Sequence, residues 1–402
     1  MDEFSEILAS GQLDVVFQPI RDLGTQARVG YEALIRGPAG SALERASALL
    51  AKAYETDRVV EFDWMARACA CRAALRAELD PDLLLFLNIE PLALGSTCPP
   101  ELLYDIEQAF SRYQVVLEIT ERSLERDPAS LLDGIAVQRP TVAGLAIDDL
   151  GAQQRSLALL PTLAPDIIKL DLTVTQAGPS PAVMSVLDIA YEETERTGAT
   201  ILAEGVETAD HAEFARSIGA KLVQGQHLGE PAALPPGRTW SAPGWQLGAV
   251  AGSTVDTPFD ALRDHTTGRA DAELLFPLGR QLAYRSVRLR EPAVVLVLVP
   301  DAGKLATTDK RCLSDLARRG VITAALGPGL SKPPAAHVRG GPLRDPRLAG
   351  QWAIITLAPG VSSALLARAV DDEDGDFEYA VTHDRGRVIA AASSLLRRLG
   401  TD

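Results

Sequence analysis

The feature that most constrains this chain is an alternation. Within roughly the first 230 residues, short β-branched or leucine-rich runs are separated by longer amphipathic stretches. The runs are LDVVFQPI (13–20), ARVGYEALIRG (27–37), DLLLFLNIEP (82–91), QVVLEITE (114–121), TVAGLAIDDLG (141–151), DIIKLDL (166–172), TILAEGVE (200–207) and KLVQGQHLGEP (221–231). Stretches between the later runs, such as PAVMSVLDIAYEETERTG and TADHAEFARSIG, carry apolar residues at helical spacing and stop at glycine. Eight repeated βα units of this kind predict a closed (β/α)8 barrel. One joint breaks the repeat: only RDLGTQ separates the first two runs. A parallel crossover needs a dozen or more residues, so the first strand is expected to run antiparallel to the second.

Near residue 232 the chain changes to AALPPGRTWSAPGWQLGAVAGSTVDTP, whose Pro, Gly, Ser and Thr mark a linker. We therefore expect a barrel over 1–245, then a linker and a smaller α/β domain over 246–402. In the second part PAVVLVLVP, VITAALG, QWAIITLAP and FEYAVTH predict strands. FDALRDHTTG, ELLFPLGRQLAYRSVR, SALLARAV and VIAAASSLLRRL predict helices. DDEDGD at 371–376 reads as a solvated turn, because it lacks the ligand spacing and closing Glu of a calcium loop.

Several functional classes are disfavoured. No run approaches the roughly 20 apolar residues of a membrane span, and MDEFSEIL lacks the basic region and apolar core of a signal peptide, so a cytoplasmic protein without a membrane partner is expected. The four cysteines form neither a disulfide framework nor a zinc pattern, and Cys69 and Cys71, two apart on a helical stretch, read as packing residues. None of the five histidines has metal spacing. Charge is uneven: residues 1–249 carry 19 Lys+Arg against 36 Asp+Glu, and 250–402 carry 20 against 18. An acidic first domain is a poor partner for nucleic acid, and a phosphate ligand there needs metal ions to mediate contact.

The acids are placed informatively. Glu32, Asn88, Glu118 with Glu121, and the pair Asp148 and Asp149 each follow an apolar run, and later runs add Lys169, Asp171, Glu204 and Glu207. In a (β/α) barrel the C-terminal strand ends converge on one face, so these side chains should meet there. Taken singly, such an acid often only caps a helix or pairs with an arginine. Together, a carboxylate crowd requires positive charge, and an all-oxygen donor set suits Mg²⁺ or Mn²⁺. Two such ions could serve metal-assisted phosphodiester hydrolysis.

The same runs carry a family resemblance. YEALIRG (31–37), FLNIEP (86–91), LEITER (117–122), IDDLG (147–151), IKLD (168–171), AEGVET (203–208) and VQG (223–225) resemble the EAL domain, in the family's order and over about residues 10–240. The resemblance implies a barrel with an antiparallel first strand and cyclic di-GMP phosphodiesterase activity yielding linear pGpG. It implies that Glu32, Asn88, Glu118, Asp148 and Glu204 ligate the main metal, with Asp149 holding a second ion. Lys169 would orient the attacking water, Asp171 and Glu207 would stand around it, and Glu121 would anchor the loop after the aspartate pair. Arg36, Gln18, Pro19 and Gln224 would contact the dinucleotide. The family also commonly forms homodimers through the barrel.

Two stretches depart from that pattern. After Asp149 the family reads F-G-x-G-x-S-S-L, whereas this chain has Leu150, Gly151, Ala152, Gln153, Gln154, Arg155, Ser156 and Leu157. After Gln224 the usual aromatic and lysine are replaced by Gln226 and Glu230. Either these changes surround an intact site, or the loop no longer assembles a two-metal centre and leaves a slow enzyme or a cyclic di-GMP receptor. The C-terminal part resembles, more weakly, the DICT sensory domain, in FEYAVTHDRGRVIAAASSLLRRL and PAVVLVLVP. That resemblance implies a regulatory input whose ligand it does not define.

Overall fold

The computed structural model describes residues 2–120, 127–152, 156–234, 245, 247, 254–286, 292–370 and 376–400. The chain forms two compact units, the first comprising 1–123, 133–152 and 165–250, the second 124–132, 153–164 and 251–402.

The first unit is a closed barrel of eight strands in sequential order. These are β1 (Asp14–Asp22), β2 (Arg28–Arg36), β3 (Leu84–Asn88), β4 (Gln114–Thr120), β5 (Gly144–Leu150), β6 (Ile167–Leu170), β7 (Thr200–Ala203) and β8 (Leu222–Val223). β1 runs antiparallel to both β2 and β8, and the other neighbours pair in parallel. The short 23–27 connection dictates this, because it permits a hairpin and nothing longer. Between later strands, helix Pro181–Thr197 starts at Ser180, whose hydroxyl accepts from the Val183 amide, and stops at Gly198 as the sequence predicts.

Inside the barrel, Ile20, Val29, Leu84, Phe86, Val116, Ala146, Ile167, Leu202 and Leu222 pack as one cluster. Successive strand residues alternate faces, so the residue two positions on from a core residue points the same way. Two positions after Phe86, Val116, Ala146, Ile167, Leu202 and Leu222 stand Asn88, Glu118, Asp148, Lys169, Glu204 and Gln224. On the reversed β1 the offset is two positions earlier, from Ile20 to Gln18. One apolar layer is thus topped by one polar layer, at the C-terminal ends of the parallel strands.

The second unit is a seven-stranded sheet in the order β12-β11-β10-β13-β14-β15-β9. Its strands are β9 (Gly268–Ala270), β10 (Val294–Leu298), β11 (Ile322–Gly327), β12 (Arg339–Pro342), β13 (Gln351–Ala358), β14 (Val361–Ala369) and β15 (Phe377–Thr382). β10, β11 and β12 are parallel to one another, and the remaining pairs are antiparallel. Two sequence expectations fail here. SALLARAV is not a helix: it lies in β14, paired on both sides. A short apolar run buried on both faces has no alternation to separate strand from helix, and the two-residue Pro359–Gly360 turn, with Gly360 at φ 64°, folds it straight back on β13. FDALRDHTTG forms only the 3₁₀ turn Phe259–Leu262 before its end enters β9. DDEDGD falls almost wholly outside the described residues. Cys69, Cys71 and Cys312 are buried, as packing residues should be, and burial pushes the Cys71 thiol up to about 12. No described helix is long and apolar enough to cross a membrane.

Gly225, directly after β8, shows how tightly the barrel's end is packed. A Cβ placed there would lie 2.2 Å from the Val206 carbonyl oxygen and 2.4 Å from its nitrogen, both backbone atoms held by hydrogen bonds to Gln224 and His227. Gly225→Ala is expected to destabilise the barrel by about 1–3 kcal/mol, read as a lower midpoint of urea unfolding.

Candidate functional site

Lys169 is the centre of the polar layer. Its side chain is fully buried, and Nζ lies 2.7 Å from Glu118 Oε1, 2.8 Å from Glu204 Oε1, 2.9 Å from Asp148 Oδ1 and 3.4 Å from Glu32 Oε2. Burial works against the ammonium, but Asp148, Glu118, Glu204 and Glu32 together outweigh it and hold the Lys169 pKa well above its ordinary value. The acids are not equivalent. Burial, then Glu32, raises Glu118 well above the usual carboxyl range despite Lys169, and burial, then Asp148, does the same to Glu204. Glu32 is also buried, yet Lys169 and donated hydrogen bonds overcome that and hold its pKa low. Its donors are Gln224 Nε2 at 2.6 Å and Asn88 Nδ2 at 3.1 Å, and Gln224 Nε2 also reaches Gln18 Oε1 at 3.0 Å.

Asp148 and Asp149 are neighbours, and on a regular strand they would face opposite ways. A register irregularity between Ile147 and Leu150, where β5 pairs with β6, coincides with a left-handed backbone at Asp149, φ 58°. The bulge re-aims the second carboxylate, and ligand oxygens of Asp148, Asp149 and Glu204 then lie within 4.8 Å of one another.

This donor set fits a hard divalent cation. All its atoms are oxygens, and four carboxylates face a single fixed lysine charge. Glu118 Oε1 stands at ion-pair distance from Lys169 but outside hydrogen-bond geometry, and its buried Oε2 meets no donor among the described residues. Unpaired buried carboxylate oxygens are costly unless protonated or bound to a cation.

The other predicted residues divide. Gln224 and Gln18 join the cluster through Glu32. Pro19 pairs with Tyr31 across β1 and β2, and Arg36, at the end of β2, donates to the Ile35 carbonyl at 2.9 Å. Asp171 accepts from the Thr173 amide at 2.8 Å and caps helix Leu172–Ala177. Glu207 is exposed, its amide donating to His211 Nδ1 at 3.3 Å. Glu121 and the residues 153–155 lie outside the described residues.

A cleft of about 380 Å³ opens beside the cluster, reaching from Glu32, Asn88, Asp148 and Asp149 to apolar residues such as Ile35, Leu50 and Phe62. Its wall holds a pair that sequence reading missed. Asp63 and Arg67, 4% and 2% exposed, are joined at 2.7 Å on helix Val59–Arg76. Arg67 stacks on Trp64 at 3.7 Å from the ring centroid. Asp63 Oδ2 accepts from the Glu90 amide at 2.7 Å, anchoring the turn two residues past Asn88. The available signal was an Asp and an Arg four apart on a helix, which usually marks a solvated face.

An eight-stranded barrel with one reversed strand and an all-oxygen mouth around a buried lysine is the class of protein this geometry defines. The model of the EAL domain matches residues 1–231, and the chain belongs to that family. The "probable cyclic di-GMP phosphodiesterase" PdeD of Escherichia coli is 38% identical over 130 residues, covering 32% of this chain and 24% of that protein. The cyclic di-GMP phosphodiesterase RocR of Pseudomonas aeruginosa is 28% identical over 232 residues, covering 56% of this chain and 58% of that protein. The chain therefore spans less than two thirds of the length of either relative. A solved structure of Klebsiella pneumoniae BlrP1, a manganese and cyclic di-GMP complex, is 26% identical with a TM-score of 0.48, covering 55% of this chain and 56% of that one.

Removing the Asp63 carboxylate leaves Arg67 charged, buried and unpaired. Asp63→Ala is expected to cost about 3–5 kcal/mol of barrel stability, measured by urea unfolding.

Proposed function

We propose that this protein hydrolyses cyclic di-GMP to linear pGpG, using Mg²⁺ or Mn²⁺ held at the barrel mouth. The observation that carries the reading is the convergence of acids from four separate strands on Lys169, with Asp149 turned toward the same centre. The match to the EAL family supports the substrate.

Glu32, Asn88, Glu118, Asp148 and Glu204 would hold a first ion, and Asp149 would share a second with Asp148. When bound, such ions supply Lewis-acid polarisation of the phosphodiester and acidification of a water. Lys169 keeps its proton and orients the attacking water, while Gln224 and Asn88 keep the Glu32 carboxylate in one pose. Water oxygen adds to phosphorus, one ring P–O bond breaks, and of the water's two protons one ends on the leaving ribose oxygen and the other stays with the new terminal phosphate. Arg36, Gln18, Pro19 and Gln224 contact the dinucleotide, whose bases find apolar surface in the adjoining cleft. Asp171 and Glu207 serve the surrounding polar shell, Asp171 through its cap on helix Leu172–Ala177. Glu121 anchors the loop after Asp149.

We place the boundary near residue 245, assign 246–402 to a DICT-like sensory domain that tunes turnover, and place the protein in the cytoplasm as a homodimer through the barrel. A second reading is favoured by one observation: Gln153 stands where the family carries glycine, beside the aspartate pair. If that loop fails to fix the second ion, the barrel is a cyclic di-GMP receptor.

Purified protein with cyclic di-GMP and Mn²⁺ should release pGpG. EDTA should stop it, and added Mn²⁺ should restore it. Asp148→Asn should lower kcat by about a hundredfold or more, since about 1.36 kcal/mol of lost stabilisation is worth tenfold. Absence of turnover by the unaltered protein over hours sinks the enzyme reading, and calorimetry with cyclic di-GMP then decides for or against the receptor. If the loop limits the rate, Gln153→Gly raises kcat.

A further inference from the structure

We infer that the second unit carries a binding groove for an organic phosphate of nucleotide size, beside the first residues of β11 and β12. The groove has a volume of about 890 Å³, in the range of small-molecule sites. Four basic side chains line it, Arg318, Lys332, His337 and Arg339, and among the described residues no acidic one does.

The elements around it explain the concentration. Arg318 closes helix Thr307–Arg318, and Arg339 opens the edge strand β12, whose pairing with β11 starts only at Ala324. The first residues of β11 are therefore left without a strand on that side, and the connection carrying Lys332 and His337 forms the other bank. His337 sits at a left-handed φ of 62°, next to the Ala335–Val338 bridge. Arg318 is already paired with exposed Asp315, so it contributes less field than its charge suggests.

The observation that points to a ligand is Thr323. It lines the groove from β11, is 2% exposed, and its Oγ1 meets no hydrogen-bond partner among the described residues. A buried hydroxyl left unmade costs free energy, and structures keep few of them without reason. A phosphate oxygen in the groove would accept from this hydroxyl while the cations at the rim balance its charge. Arginine matches phosphate oxygens two at a time, which suits Arg339. Val321, Ile322 and Val338 add apolar wall for a base or sugar. The setting is electrostatically compatible, because residues 250–402 carry 20 basic against 18 acidic side chains, unlike the acidic barrel sequence.

The test uses the full chain, with ATP and inorganic pyrophosphate as probes in calorimetry at low and physiological salt. Saturable binding is expected, weaker at the higher salt. Pyrophosphate binding alone shows that the groove reads phosphate, and tighter ATP binding shows that its apolar wall contributes. Lys332→Glu and Arg339→Glu should each weaken binding by about tenfold or more, and Asp148→Asn in the barrel should leave it unchanged. Thr323→Val should weaken it about three- to tenfold, the worth of one hydrogen bond, while leaving the ligand-free melting temperature the same or higher. A merely structural threonine would lower that temperature and spare affinity. No heat or melting shift with either probe at millimolar concentration overturns the inference, as does binding that survives Arg339→Glu or disappears with Asp148→Asn.

Discussion

The buried ammonium of Lys169 is the constraint on which the first unit's polar layer depends. Taking one ammonium and several carboxylates out of water costs several kcal/mol per ion, and mutual attraction repays this only when the partners are close and further hydrogen bonds are made. Lys169 meets the first condition, with three carboxylates within 3 Å and Glu32, to which it donates, slightly beyond. The acids do not meet them equally. Glu32 has two amide donors and its pKa is held low, whereas burial, above the pull of Lys169, raises Glu118 and Glu204. Four carboxylates around one ammonium leave the cluster short of positive charge, which is why its chemistry points to a divalent cation.

Holding that cluster is a task for the whole barrel. Its members come from β2, β4, β5, β6 and the residue that follows β7, so no local stretch contains it, and Glu118, Asp148, Lys169 and Glu204 each stand two positions after a core residue. The reversed β1 has a particular part: it closes the barrel against β8 and brings Gln18 to Gln224, which in turn holds Glu32. The Asp63 and Arg67 pair does comparable work from a helix, fixing the backbone just after Asn88.

The second unit distributes charge differently. Its sheet has a parallel edge made by β10, β11 and β12 and an antiparallel remainder, and the basic groove lies where the parallel edge begins. Acids in this unit are often consumed locally: Asp345 pairs with Arg347 and Arg398, and Glu378 with Arg368. Side-chain hydrogen bonds from Arg347 are the main reason the Asp345 carboxyl is held far below the usual range. Among the described residues that line the groove none is acidic.

Much of this was legible in the sequence. Eight strand-like runs and the short first connection determined the barrel and the reversed strand, because strand alternation and crossover length are local rules; of the polar residues after the runs, Glu32, Asn88, Glu118, Asp148, Lys169 and Glu204 do meet, whereas Asp171 caps a helix and Glu207 is exposed. Where local rules are silent, sequence reading failed. SALLARAV is equally apolar as helix or strand, and only its place between β13 and β15 decided the matter. Asp63 and Arg67, four apart on a helix, give no sign in sequence that they are buried against the strand end that holds Asn88. Adjacent aspartates alone could not reveal that a bulge would turn both to one centre, nor which acids burial would raise. Those outcomes depend on burial and on neighbours distant in the chain, and tertiary structure alone supplies both.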